Sequence, residues 1–203
     1  MKNIYDIIIV GLGHAGCEAA LAASRSGLNT LGITLKKDRI GHLSCNPAVG
    51  GLAKGQLVKE VDALGGEIAK AADYACLQIR VLNQSKGPAV RSSRAQVDRS
   101  LYKEYFQNVL KNQPNLTVIE GRIDNIITEG GRVSGVELKS GDRLFSKALI
   151  ITPGTFLNGL IHIGLEHYPG GRMGDEAAVK LSDNFKALGF SMLRFKTGTC
   201  PRI

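Results

Sequence analysis

The chain has 203 residues, 43% hydrophobic and 22% charged, with four cysteines, 25 glycines and a net charge of +8. This composition supports a packed core and excludes a disordered chain. No cysteine pair has C-x-x-C spacing, so neither a zinc framework nor a disulfide-stapled scaffold is expected. The basic excess suits a polyanion such as RNA or serves only solubility. No apolar run approaches a membrane span or a signal core, and a cytoplasmic protein is expected.

Tyr5–Val10, "YDIIIV", is a continuous β-branched run of the kind found in strands buried on both faces. "GLGHAG" follows, then an Ala- and Leu-rich stretch that stops at Gly27, a helix with a C-terminal glycine. Leu28–Leu35 reads as the second strand of a βαβ unit over residues 4–35. Leu57, Val58, Val61 and Leu64 lie on one helical face ended by Gly65-Gly66. A basic, poorly periodic segment runs from Asn83 to Arg94. Leu101, Tyr102, Tyr105, Phe106, Val109 and Leu110 mark a second helical face before Pro114. Leu116–Ile119 predicts a strand, and residues 123–145, with turns at Gly130-Gly131 and Ser140-Gly141-Asp142, predict an antiparallel meander. Lys147–Thr152 predicts another buried strand, residues 175–188 a helix, and the neighbourhood of Met192 a strand.

Gly11, Gly13 and Gly16 form G-x-G-x-x-G between the first strand and the first helix. In that setting the first glycine makes the turn, the second admits a pyrophosphate and the third lets helix and strand pack. The helix N-terminus offers free N–H groups to the phosphates. The acid that ordinarily binds the ribose about twenty residues on is missing: the second strand ends in Thr34, Leu35 and Lys36, and Asp38 comes too late. A meander followed by a return strand and a glycine turn is the layout of flavoproteins with two dinucleotide-binding domains, which favours FAD over NAD by analogy of fold. The expected class is α/β: a Rossmann-like FAD-binding domain, a parallel sheet with helices on both faces, with an inserted antiparallel β-meander.

"CNPAVGGLAKG", residues 45–55, is not a Walker loop, because the G-x-x-x-x-G-K-[ST] order is absent. Cys45 stands on a glycine-hinged loop with Lys54 nine residues on. Such a thiol is either a nucleophile with a basic neighbour or a plain packed cysteine. Cys17 and Cys76 read as packing residues, and Cys200 carries no chemistry. Lys86, Arg91, Arg94 and Arg99 make a basic segment that lines a pocket, meets RNA phosphates or is simply solvated.

The runs "GLGHAGCEAALAASRSG", "SCNPAVGGLAKGQLVKEVDALGG", "LNQSKGPAVRSSRAQVDR", "TPGTFLNGLIHIG", "YPGGRMGDEAA" and "FKTGTCPRI" resemble the N-terminal part of the tRNA uridine 5-carboxymethylaminomethyl modification enzyme family (MnmG, or GidA). They span nearly the whole chain. A folate- and FAD-dependent tRNA uracil methyltransferase resembles it less, at "DALGG" and "SKGPAVR". A small-molecule flavin oxidoreductase and a non-catalytic flavin- or RNA-binding remnant are the other readings. The resemblance implies an FAD-dependent enzyme acting at C5 of the wobble uridine of tRNA. NADH and methylene-tetrahydrofolate are its co-substrates, a GTPase subunit (MnmE) its partner, and a homodimer its form. It implies FAD contacts from Gly11, Leu12, Gly13, His14, Ala15 and Gly16, from the backbone of Ile123, and from Ala178, where the family often has Ser. It also implies a catalytic loop with Cys45 and Lys54, with a second family cysteine outside this chain an equal candidate for the nucleophile; no metal is expected, because no cysteine pair has ligand spacing. The family enzyme is longer, so the sequence reads as a fragment of one FAD-binding domain over residues 1–203. Within it the βαβ unit spans 4–35, the active-site loop and helices 36–113, the strand and meander 114–146, and the return strand with a flavin-proximal segment 147–203.

Overall fold

The computed structural model describes residues 4–175 and 177–196. Strand β1 (Ile4–Val10), helix α1 (His14–Arg25) and strand β2 (Thr30–Thr34) form the N-terminal unit. The second strand is shorter than its apolar run because Gly27, at φ +84°, and Leu28 belong to the turn that ends α1. Next come β3 (Ala48–Gly50), α2 (Lys54–Ala63), α3 (Ile68–Tyr74), β4 (Cys76–Leu82) and β5 (Ser92–Val97). Helix α4 (Arg99–Asn112) starts where the Asp98 carboxylate accepts the Ser100 and Leu101 amides at 2.8 and 2.9 Å, an N-cap worth about 1 kcal/mol. Strands β6 (Leu116–Glu120), β7 (Ile123–Glu129), β8 (Arg132–Leu138) and β9 (Arg143–Ile151), the hairpin β10 (Leu160–Ile163) and β11 (Glu166–Pro169), and helix α5 (Val179–Ala187) complete the described chain.

Six strands make one mixed α/β sheet in the order β6-β2-β1-β9-β8-β7. The first four are mutually parallel, and β8 and β7 run antiparallel at the edge. Period-two alternation in β1 feeds two cores. Ile7 and Ile9 pack with Cys17, Ala20 and Leu21 of α1 and with Tyr102, Phe106 and Leu110 of α4. Ile8 and Val10 pack on the other face with Leu31, Ile33, Ile123, Val136 and Leu181 of α5. Helices thus cover both faces.

Several expectations are corrected. The meander and the return strand are not separate, because β9 runs unbroken across both: its residues 143–145 pair with β8, and residues 145–151 pair with β1. That return strand is not buried throughout, since Ile150 is 37% exposed. The basic segment 83–94 is irregular only up to Arg91: residues 92–94 open β5 in an antiparallel sheet of order β3-β5-β4, in which Ala95 and Val97 are buried while Leu77, Ile79 and Val81 face outward. The stretch around Met192 has no regular structure, and α5 begins only at Val179, because Ala178 is held in a β-bridge to Leu157. Cys17 is buried and Cys76, at the head of β4, is only half-buried, so it is not a core residue; Cys200 lies outside the described residues.

Candidate functional site

At the carboxyl end of β1 the chain turns at Gly11, φ +91°, against Thr152 at the end of β9. A Cβ on Gly11 would overlap the Thr152 carbonyl oxygen, and one on Gly16 would overlap that of Gly11. Thr152 Oγ1 closes the arrangement by donating to the carbonyls of Gly11 at 2.7 Å and Val10 at 3.1 Å. Gly13 is different: a Cβ there would meet nothing within 4 Å. It faces a cavity of about 730 Å3 that Gly11, Leu12, His14 and Ala15 also line. Gly13 caps α1 without a side chain, and the first turn holds no acid, so its unpaired amides are available to an anion.

The same cavity is bounded by the end of β2, by Gly121–Ile123 at the start of β7, and by Arg172, Asp175 and Ala178. Ile123 is 5% exposed and contributes to this wall. Ala178 also lines it, but its amide already donates to the Phe156 carbonyl at 2.7 Å and its carbonyl accepts from the Asn158 amide at 3.1 Å. What it can still offer is a methyl group and a second carbonyl lone pair.

The cavity is also lined by Cys45, exposed, and by Lys54, at the first position of α2. The loop between them is tightly constrained. Gly50 and Gly51 both have φ near +100°, Gly51 N donates to the Ser93 carbonyl at 2.9 Å, and Ser92 Oγ donates to the Gly51 carbonyl. Ala53 adopts φ +61°, ψ −48°, and Lys54 N donates to the Leu52 carbonyl at 2.7 Å. That is a γ-turn of the strained hand, costing a non-glycine residue about 1–3 kcal/mol. It aims Lys54 back across the loop, where its Nζ donates to the Ala48 carbonyl at 3.3 Å. Burial, followed by the nearby Arg94, lowers the Lys54 pKa, and Cys45 acts in the opposite sense, so the two lie within electrostatic reach. His14 is pushed down to about 4 by burial and by Lys54, which keeps its imidazole neutral at pH 7.

The four basic residues singled out in the sequence do not form one patch. Lys86 and Arg91 are exposed on the connection between β4 and β5, where Arg91 Nε donates to the Gln84 carbonyl at 3.2 Å. Arg94 lines the cavity, and Arg99 begins α4 near His42. Sequence reasoning missed Arg39, His42, Arg122, Arg172 and Asp175, all on the cavity wall. The available signal was "GGRMGD", a glycine turn carrying opposite charges, but its return to the end of β2 is a tertiary fact. Among the described residues no group of three or more His, Cys, Asp or Glu side chains could hold a metal ion, and no helix is long and apolar enough to cross a membrane.

Residues 6–203 match the family described as glucose inhibited division protein A. The chain is 54% identical over 199 residues to the tRNA uridine 5-carboxymethylaminomethyl modification enzyme MnmG of Geobacter sulfurreducens and 51% identical to that of Syntrophotalea carbinolica. Each match covers 98% of this chain but 32% of the relative, so the chain spans about a third of the length of these proteins. The structure superposes on Aquifex aeolicus GidA with a TM-score of 0.91 at 47% identity, covering 97% of this chain and 32% of that one. A GidA-related protein from Thermus thermophilus shares the fold at a TM-score of 0.69 and 17% identity, covering 94% and 71% of the two chains.

Proposed function

This chain belongs to the glucose inhibited division protein A family, and on that premise we propose that it takes part in FAD-dependent tRNA modification. The reaction is addition of a carboxymethylaminomethyl or aminomethyl group at C5 of the wobble uridine. NADH and a methylene-tetrahydrofolate donor are its co-substrates, the GTPase MnmE its partner, and a homodimer its form. One observation carries the reading: the main-chain phosphate cradle and the Cys45–Lys54 pair open onto a single cavity.

The residues present fit a flavin dinucleotide. The side-chain-free approach at Gly13 and the uncapped N-terminus of α1 suit a pyrophosphate. Ile123 and Ala178 line the same cavity, and in this reading the backbone of Ile123 faces the adenine while Ala178 lies near the flavin. Bound there, FAD supplies hydride chemistry. The protein's own residues act on the base. C5 of uracil is a poor nucleophile, and addition of the Cys45 thiolate to C6 makes it enolate-like and able to attack an electrophilic one-carbon unit. Lys54 is the basic group beside that thiol, and its lowered pKa lets it take up or return a proton nearer neutrality than a free lysine does. The cations around the cavity mouth meet the tRNA backbone, and the uridine turns out of its stack to enter.

Titration with FAD tests the cradle. The purified chain should take up FAD with a shifted flavin absorption envelope, and it should bind tRNA with a steep loss of affinity on adding salt. A chain that ignores FAD sinks the flavin reading, and one that ignores tRNA at low salt sinks the substrate assignment.

A further inference from the structure

The fingerprint of this chain lacks the acid that ordinarily receives the adenosine ribose. The position where it belongs, twenty residues beyond Gly16, is Lys36. A lysine ammonium has three donors and no acceptor, so it cannot receive a hydroxyl proton. Lys36 instead carries a carboxylate to the same place: its Nζ lies 2.9 Å from Oδ1 of Asp175, which comes from the segment before α5.

We propose that Asp175 is the ribose-binding acid of this site, supplied from 139 residues away and held in place by Lys36. The inference rests on the flavin reading above and names a specificity-determining residue within it.

Three observations support the assignment. Asp175 is the one carboxylate among the described residues lining the cavity, in a wall otherwise rich in cations. Its side chain is 11% exposed, which fits a group turned to a ligand rather than to bulk water. The nearby alternatives are committed elsewhere. Glu120 Oε1 accepts the Lys37 amide at 2.6 Å, and Asp38 has a side chain 70% exposed, 3.6 Å from Arg39; neither lines the cavity.

The local chemistry is consistent. Lys36, then Arg39 and Arg172, hold the Asp175 carboxyl below its ordinary range, so it is ionised and purely an acceptor at pH 7. The lysine engages Oδ1, and an ionised carboxylate has lone pairs for further donors. A cis-diol offers two hydroxyl donors on adjacent carbons. The pairing also explains how an acid can serve this subsite from a remote segment, since the lysine at the end of β2 fixes its position.

The test compares FAD with an analogue whose adenosine half lacks both the 2′- and 3′-hydroxyls, each titrated into the whole chain by quenching of flavin fluorescence. The wild-type chain should prefer FAD by about tenfold, the scale of a hydrogen bond to a charged group. Asp175→Ala should bring that preference to about one. Lys36→Met, which keeps the carboxylate but frees it, should reduce the preference without abolishing it. Because each preference is a ratio within one protein, partial misfolding of a variant cancels. A wild-type chain that binds FAD without preference, or an Asp175→Ala chain that keeps it, overturns the assignment and leaves the flavin reading intact. A wild-type chain that binds neither ligand overturns both.

Discussion

Residues 4–35 and residues 41–98 each close one side of the same cavity, the first with main chain and the second with side chains. In the first region a glycine approaches the ligand space, while its two companion glycines pack so closely on carbonyl oxygens that a methyl group would overlap them. In the second region, glycines and a strained Ala53 place Cys45, Lys54 and Arg94, whose functional groups are the wall itself. The contrast separates three kinds of sensitivity. Substitution of the packed Gly11 and Gly16 damages folding, substitution of the open Gly13 obstructs the ligand, and substitution on the side-chain side removes chemistry and leaves the fold.

The largest expected effect comes from Gly16→Ala, which should destabilise the chain by roughly 3 kcal/mol or more in urea unfolding. Gly13→Ala is the sharper probe, because its Cβ would stand in open space. It should cost less than about 1 kcal/mol while weakening FAD binding; equal losses from the two variants would break the distinction. On the other wall, Cys45→Ser placed in a full-length family member should abolish wobble-uridine modification, read by nucleoside mass spectrometry, with stability changed by no more than about 0.5 kcal/mol. Normal modification would remove Cys45 as the nucleophile.

His14 belongs to the first region and feels the charges of Lys54 and His42 in the second, and its effect depends on pH. Its folded-state pKa is about 4, against about 6.5 in an unfolded chain. The unfolded state therefore binds more protons between these values. The contribution is complete above pH 6.5 and is lost as pH falls toward 4, by roughly 3 kcal/mol at most. Urea melts of the wild type and His14→Gln at pH 7.5 and 4.5 should show a smaller acid loss in the variant. Ala53→Gly should relieve the γ-turn and stabilise the chain by about 1 kcal/mol. No gain would mean that the turn is unstrained. The smallest effect belongs to the exposed Arg91: Arg91→Ala should lower the slope of log affinity for tRNA against log salt by about 1. An unchanged slope takes this residue out of the RNA interface.

The parallel strands and their helices were legible because β1 and α1 announce themselves by local pattern and by glycine spacing. The small sheet was not, because β4 alternates Leu77, Ile79 and Val81 with Gln78 and Arg80 while exposing those apolar residues. Its sheet partner β5 begins in Ser92-Ser93-Arg94, which reads as polar loop. The site was legible in part for the same reason. Gly11 to Gly16 follow a local rule, and Cys45 and Lys54 lie close in sequence. Arg172 and Asp175 reach the cavity only because the chain folds back after β9, and no local spacing encodes that return.

The double pairing of β9 also sets a timetable for the chain during its synthesis. β1 is made well before β9, since its partner Ile151 lies 141 residues after Val10. At ribosomal speeds of 5–20 residues per second, β1 waits roughly 7 to 30 seconds for that partner to be made. The hairpin of β7 and β8 and its junction with β9 form from neighbours in the chain, so they are ready as soon as they are made. A nascent chain should therefore carry an apolar β1 that lacks one neighbour throughout that interval, which is when it most needs protection from aggregation.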